Sequence, residues 1–326
     1  MRTAGAILAT LARRLALGLL VIWLVATLTW VMARLAPGST ANILLGDYGD
    51  AEIRARLARA FGLDRPVWVQ YLAWLRHLAA FDLGFSSLFR APVAGVIAGR
   101  LPVTLALTLP ALAISAWLSA FLGLAAGART RSTLPSLLAS AFCAAIPAYV
   151  VAQLLILVFA LQLGWLPVQG LTDPRDGTTG AWDVVRHLVL PTLALTLEQL
   201  VMGWMFVRAR VQAELRLDYV RTARAKGAGL ALILRHHVWP NVALGYTHFV
   251  AARIGGLFAG AAVVENVFGL PGMGRLLVSA ALARDVPLLA GIFLLTAALV
   301  VIANAIADAL LSQLDPRAED RRPHAA

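Results

Sequence analysis

The sequence predicts an all-α integral membrane protein with six transmembrane helices and a long outer loop after the first. Three observations predict it. Of 326 residues, 60% are hydrophobic and only 14% charged, too few charges to cover a soluble core of this size. Six stretches, about 15–32, 103–126, 135–163, 188–207, 242–264 and 288–311, meet the roughly 20 apolar residues that a bilayer crossing needs. The arginines also gather in alternate loops, as the positive-inside rule requires.

The first stretch follows Arg13 and Arg14 and begins as a secretory signal does. Its apolar run exceeds the usual ~7–15 residues, and Arg34 and Pro37 spoil a small-residue cleavage site. It reads as a retained helix. Arg2, Arg13 and Arg14, then Arg129 and Arg131, then the basic loop at about 208–241, then Arg317, Arg321 and Arg322 all fall on one side. The short loops of the other side hold only Arg175, Arg186, Arg275 and Arg284. Both termini are therefore expected in the cytoplasm of a bacterial inner membrane protein. The outer loop, about 36–101, is too long to count in this rule.

That outer loop has local order of its own. In "GDAEIRARLARAFG", Asp50 is a plausible N-cap and Ile53, Leu57 and Phe61 recur at helical spacing. "RPVWVQYLAWLRHL" starts at Pro66 and carries Trp68, Tyr71, Leu72, Trp74 and Leu75. An amphipathic helix at the membrane surface and a small packed outer domain both fit. No repeat or linker divides the chain, so residues 1–326 read as one transmembrane domain.

The net charge is +11, and Lys226 is the only lysine. With no polar domain to dock on nucleic acid, that charge suits loops facing anionic membrane lipid. Cys143 is the only cysteine, which excludes an internal disulfide and a cysteine-based metal site. No G-x-x-x-x-G-K-[ST] is present to hold ATP, and no H-E-x-x-H to hold zinc. His236 and His237 are adjacent, so on a helix they point about 100° apart. No catalytic, cofactor-binding or metal-ligating residue is named in this chain. Transport or a scaffold role remains.

The exception to the apolar pattern is "DYVRTARAKGAGLALILRHHVWPN", residues 218–241. Residues 219–226 suit a short helix, Gly227 and Gly229 break or bend it, and Pro240 suits the first turn of the next span. A basic loop that merely fixes topology fits equally well.

Here the chain resembles the permease subunits of ATP-binding-cassette importers. Ala223, Gly227 and Pro240 match their EAA loop, although Arg221 and Thr222 replace its leading Glu and Ala, and His237 and Trp239 replace aliphatics. "DYVRTARAKG" is the form typical of the dipeptide, oligopeptide and nickel branch. "FGLDRPVWVQYLAWL", "DLGFSSLFRAPVAGVIAGRLPVTLAL", "LGWLPVQG", "VVENVFGLPGMGRLL" and "LDPR" agree in order, from about residue 10 to 318. The resemblance implies a type I importer permease fold. It implies an ATPase-coupling loop made by Arg221, Thr222, Ala223, Arg224, Lys226, Gly227, Gly229 and Pro240. It also implies a heterodimer with a related permease, two ATPases that hold ATP and Mg, and an outer solute-binding protein. Peptide is the implied substrate; a nickel or other metal chelate is the alternative. A stand-alone secondary transporter would show inverted repeats and paired intramembrane charges, and no repeat is evident.

Charge inside a span marks function by default. Glu198 and Arg253 qualify as candidates for the translocation path, either paired with one another or facing substrate; Asp308 lies at a helix end, where charge is cheap. In "VVENVFGLPGMGRLL" an outer return is expected, with Glu265, Asn266, Pro271, Gly272 and Gly274 as an outer gate or a contact for the binding protein.

The orientation has a direct test. In a background lacking Cys143, a cysteine at Ser39 should react with an impermeant thiol reagent added to intact cells, and cysteines at Ser132 or Ala228 should not. Equal labelling of all three would reverse the topology.

Overall fold

The computed structural model describes residues 4–35, 65–129, 145–172 and 180–314. The helix expected around Asp50, and Cys143, lie outside these residues. The elements are α1 (Ala4–Leu35), α2 (Val67–Ala79), a hairpin of β1 (Phe85–Ser86) and β2 (Ala91–Pro92), α3 (Val93–Ala128), α4 (Ala148–Leu155), α5 (Ala181–Glu214), α6 (Asp218–Ala225), α7 (Leu230–Ile233), α8 (Trp239–Ala252), α9 (Ile254–Val267), α10 (Met273–Leu282) and α11 (Val286–Leu314). Wider π-helical turns extend α4 over Ile156–Gln162 and join α7 to α8 over Leu234–Val238.

Among the described residues, Val93–Ala128, Ala181–Glu214 and Val286–Ile306 are each long and apolar enough to cross a membrane. Leu230–Ala252 with Ile254–Val267 makes a fourth span if that bent pair is one crossing. These four cover the second, fourth, fifth and sixth expected spans. The first and third coincide with the apolar stretches Ala16–Met32 and Ala148–Gln162, and the start of the third lies outside the described residues. The fifth expected span is bent by 47° at Arg253. Gly255 and Gly256 follow one residue after Arg253, behind Ile254, and glycine weakens a helix interior.

The chain forms two compact units. In the first, Met1–Leu101 with Leu276–Leu299, α2 docks on α1. Thr27 and Tyr71 share a hydrogen bond of 2.7 Å, and Trp30 meets Tyr71 edge to face. No residue of α2 is fully buried, as expected of an amphipathic helix at a membrane surface. Asp285, itself buried, accepts hydrogen bonds from Ser86 Oγ at 2.6 Å and from the backbone N–H groups of Leu88 and Leu288. One carboxylate thus caps α11 and fixes the turn of the β1–β2 hairpin.

In the second unit, Pro102–Arg275 with Val300–Ala326, α3 lies against α5 through small residues. A Cβ on Gly123 or Gly127 would fall 2.6 Å from the Cβ of Val207 or Val211. Ser119, Gly123 and Gly127 recur every four residues, so they share one helix face. Lipid supplies no hydrophobic force between helices, and close approach of small residues is what holds them. Tyr246 of α8 adds a polar tie, bonding the Ser119 hydroxyl and donating to the Ala116 carbonyl at 2.9 Å. The opposite face of α3 bears exposed Trp117 and Phe121, costly in water and natural against lipid.

Candidate functional site

The loop between α5 and α8 is built as a short lever. Only eight residues long, α6 is too short to be stable alone and must be held by packing. Val220 and Ala223 point into an apolar cluster with Val207 and Val211 of α5, Ile233 of α7 and Val242 of α8. Ala223 needs to be small, because it seats the helix close to that cluster. Tyr219 completes the clamp. Its hydroxyl donates to the Glu214 carboxylate at the end of α5 and accepts from Asn241 Nδ2 of α8. Burial first, and then the bond to Glu214, push that hydroxyl up to about 12, so it stays a donor at physiological pH.

The end of α6 is set by Gly227. Its N–H donates to the Arg224 carbonyl at 2.9 Å, and the Ala228 N–H donates to the Ala223 carbonyl at 3.1 Å. These two bonds are the Schellman termination, which requires a left-handed residue at its centre. Gly227 supplies it with φ +83°. Gly229 interrupts the helix in another way: at φ −69° and ψ 157° it is an ordinary extended N-cap of α7. Pro240 has no N–H to give the preceding turn, and the wide π turn falls just before it at Leu234–Val238. Pro240 thus stands in the first turn of α8, as expected, but in continuation of a helix rather than after a gap.

Arg221, Thr222, Arg224, Lys226, Gly227 and Gly229 are all exposed, while Ala223 is buried. Arg221 makes a weak, exposed ion pair with Asp218 at 3.3 Å. The result is a cationic ridge on an anchored base. Spacing places Tyr219 on one helix face with Ala223, four residues on, but does not mark it as a site residue. Nothing local marks its partners, which are 5 and 22 residues away.

The return after α9 is an internal lock. Glu265 is fully buried. One carboxylate oxygen accepts from Thr104 Oγ1 at 2.6 Å; the other accepts from the N–H groups of Gly274 and Arg275 at 2.7 and 3.1 Å. Thr104 Oγ1 in turn accepts from the Met273 N–H at 2.7 Å. The carboxylate therefore satisfies the start of α10, where orphan N–H groups favour negative charge. The expectation that Glu265 offers a contact to a docked protein is corrected by its burial. Gly272 and Gly274 are buried for a steric reason. A Cβ on Gly272 would fall 2.3 Å from the Glu265 carboxylate, and one on Gly274 2.1 Å from the Ala262 Cα. Asn266 is exposed and donates to the Ala262 carbonyl; Pro271 is half-buried.

Within the span, Arg253 sits at the bend between α8 and α9. It does not pair with Glu198: its Nε donates to Gln199 Oε1 at 2.6 Å, and no ion pair joins it to Glu198 among the described residues. The expected Glu198–Arg253 pairing is met only as an electrostatic attraction, without a salt bridge among the described residues. Glu198 instead lies against Gly260, whose missing side chain makes its room; a Cβ there would sit 3.0 Å from Glu198 Oε2. Gly255 and Gly256 make no such close approach. The Asp308 side chain lies outside the described residues. Among the described residues, no three His, Cys, Asp or Glu side chains converge as a metal site would require.

This fold, with a clamped helix in the loop before a broken span, defines a transport permease. The family described as binding-protein-dependent transport system inner membrane component matches residues 119–320, and the N-terminal region of such components matches residues 7–108. The chain belongs to that family, the membrane permeases of ABC importers, which are transport subunits and not enzymes. It is a multi-pass inner membrane protein. It is 35% identical to a Brucella abortus protein whose name assigns it to a peptide transport system as a permease, over 95% of this chain and 98% of that one. It is 30% identical to the dipeptide transport system permease protein of Alkalihalophilus pseudofirmus, over 95% of this chain and 99% of that one. A chain of the inward-facing MetNI methionine ABC transporter shares the fold, with a TM-score of 0.52 at 14% identity, covering 68% of this chain and 96% of that one.

The lock around Glu265 predicts a steep stability cost. Glu265→Ala leaves the Thr104 hydroxyl and two N–H groups buried without their acceptor, at about 1–3 kcal/mol for each group. Gly274→Ala forces a methyl into the α9 backbone, at about 1–3 kcal/mol. Gly256→Ala meets nothing within 4 Å and should be near neutral. Thermal unfolding of the purified protein in detergent checks the order; equal midpoints for all three would remove the lock.

Proposed function

We propose that this chain is one of two related permeases in an importer that carries peptides into the cell. In this reading two ATPases holding ATP and Mg dock on the cytoplasmic side, and an outer solute-binding protein delivers the substrate. Both termini face the cytoplasm. Support for the peptide comes from the names of relatives that span nearly the whole chain at 30–35% identity. The observation that carries the coupling role is the clamped helix α6, with Arg221, Arg224 and Lys226 exposed above buried Val220 and Ala223. An ATPase that pushes on those residues moves α5 and α8 together, because Tyr219 and the apolar cluster tie the three helices. Such rigid-body transmission needs a stiff connection and no chemistry in this chain.

Gly227 separates this role from a simple topology signal. A β-branched side chain at φ +83° costs about 1–2 kcal/mol or more locally, whereas Asn tolerates that region. Gly227→Val should leave the permease at normal levels in the membrane, since the spans are untouched. Peptide uptake and co-purification of the ATPase should both fall about tenfold, as expected where 1.4 kcal/mol is one decade. Gly227→Asn should retain most of both. Full uptake in Gly227→Val would return the loop to a topology signal.

A further inference from the structure

A cleft of about 690 Å³ opens in the first unit, where the end of α1 meets α2, the β1–β2 hairpin and the start of α11. Small-molecule sites fall in the range of about 300–1,000 Å³. Its walls include Trp30 and Arg34 of α1, Gln70 and Trp74 of α2, Phe85 of the hairpin and Pro287 of α11. Aromatic and apolar groups thus surround Arg34, the only arginine among the described lining residues. The other charged lining groups are committed to each other. Asp82 accepts from the Gly84 N–H at 3.0 Å and lies 3.0 Å from His77 Nδ1. Arg34 is exposed and has no carboxylate partner among the described residues.

The Arg34 guanidinium is held in place without being neutralised. Its Nη2 donates to Gln70 Oε1, and it lies 4.8 Å from the centre of the Trp30 ring. Gln70 is itself oriented, since its Nε2 donates to the Arg65 carbonyl at 2.7 Å. A guanidinium has five N–H donors, and Gln70 takes one of them. The surroundings also place the cleft at a membrane surface. Arg34 stands in the last turn of α1, the first expected span. Trp30 and Trp74 flank it, and tryptophan gathers at the level of lipid headgroups. Back along α1, Leu19 and Trp23 share a face with Trp30 and Arg34, at spacings of four, seven and four residues. Both are open to a neighbour, Leu19 at 66% and Trp23 at 46% exposure. An apolar track therefore runs from the cleft along the span. A soluble anion has no use for such a track, whereas an acyl chain does.

We propose that this cleft holds an anionic phospholipid, its headgroup phosphate bound by Arg34 and one acyl chain laid over Trp23 and Leu19. In the orientation proposed above, it is a lipid of the outer leaflet. The guanidinium fork matches a phosphate with two parallel hydrogen bonds. A headgroup that carries a cation of its own is disfavoured, because Asp82, the one carboxylate in the described lining, already serves His77 and Gly84. The lipid fills the space that α1, α2, the hairpin and α11 leave between them, and so fastens the surface helix to its span. The inference goes beyond the import reading and does not depend on what is imported.

The test uses the assembled importer in phosphatidylcholine vesicles that contain a trace of phosphatidylglycerol with a photoreactive group on one acyl chain. After irradiation, adducts are mapped by peptide mass spectrometry. They are expected to concentrate on α1 around Leu19 and Trp23. Arg34→Gln should lower them about fivefold, the ~1 kcal/mol that one arginine gives at an anionic surface. Arg34→Lys, a point charge without the fork, should fall between the two. Adducts on Trp117 and Phe121 of α3 should not change in either variant, which shows that the protein is folded and inserted. The same photoreactive chain on phosphatidylcholine should label α1 about fivefold less, and an excess of soluble glycerol phosphate should not compete. Equal labelling of α1 by the two lipids, or unchanged labelling in Arg34→Gln, would mean general lipid contact and overturn the site. Competition by glycerol phosphate would make it a site for a soluble phosphate and overturn the lipid as its occupant.

Discussion

Everything that the loop between α5 and α8 can do depends on how firmly α6 is fixed to the helices on either side. Eight residues of helix have no stability of their own in water. Here they are seated by Val220 and Ala223 in an apolar cluster and pinned by the Tyr219 hydroxyl between Glu214 and Asn241. The basic residues are left on the outer face, which is the one a partner can reach. A loop that only marked topology would have no use for such anchoring. The cost of the left-handed Gly227 and of the widened turn before Pro240 is accepted because both aim the next helix.

Inside the bilayer a different economy applies. Apolar surface gains nothing by leaving lipid for another helix, so the helices of the second unit meet through small residues and hydrogen bonds. Gly123 and Gly127 let α3 touch α5, and Glu265 ties Thr104 to the start of α10. Against this background of satisfied groups, Glu198, Gln199 and Arg253 stand out. Arg253 lies where one span bends, and Gln199 of the neighbouring α5 accepts its Nε–H there.

Much of this was legible in the sequence. Four spans and their order followed from apolar run lengths. The helix–glycine turn–helix followed from residue types whose backbone preferences are local, and Gly227 has the positive φ that its type allows. What was not legible depends on contacts between distant residues. The fifth span read as one apolar run, because a bend at Arg253 leaves no mark on hydropathy. Glu265 read as a surface contact because a lone carboxylate near glycines looks exposed; the hydroxyl that buries it is Thr104, 161 residues earlier. Glu198 and Arg253 were found as charges in apolar runs, but Gln199, which takes the arginine, carries no charge and raised no signal. Gly229 was grouped with Gly227 by composition, and only its backbone angles separate the two.

The central claim is that the exposed face of α6 is where an ATPase drives the permease. Site-specific photocrosslinking measures this most directly. A photoreactive residue placed at Arg224, which is exposed and has no ion-pair partner among the described residues, is irradiated in the assembled importer, with one at Ser87 on the β1–β2 hairpin as control. The account predicts a strong adduct between position 224 and the ATPase, none from position 87, and a yield that changes when ATP is added. Adducts from position 224 to lipid or to the binding protein, with none to an ATPase, would contradict it.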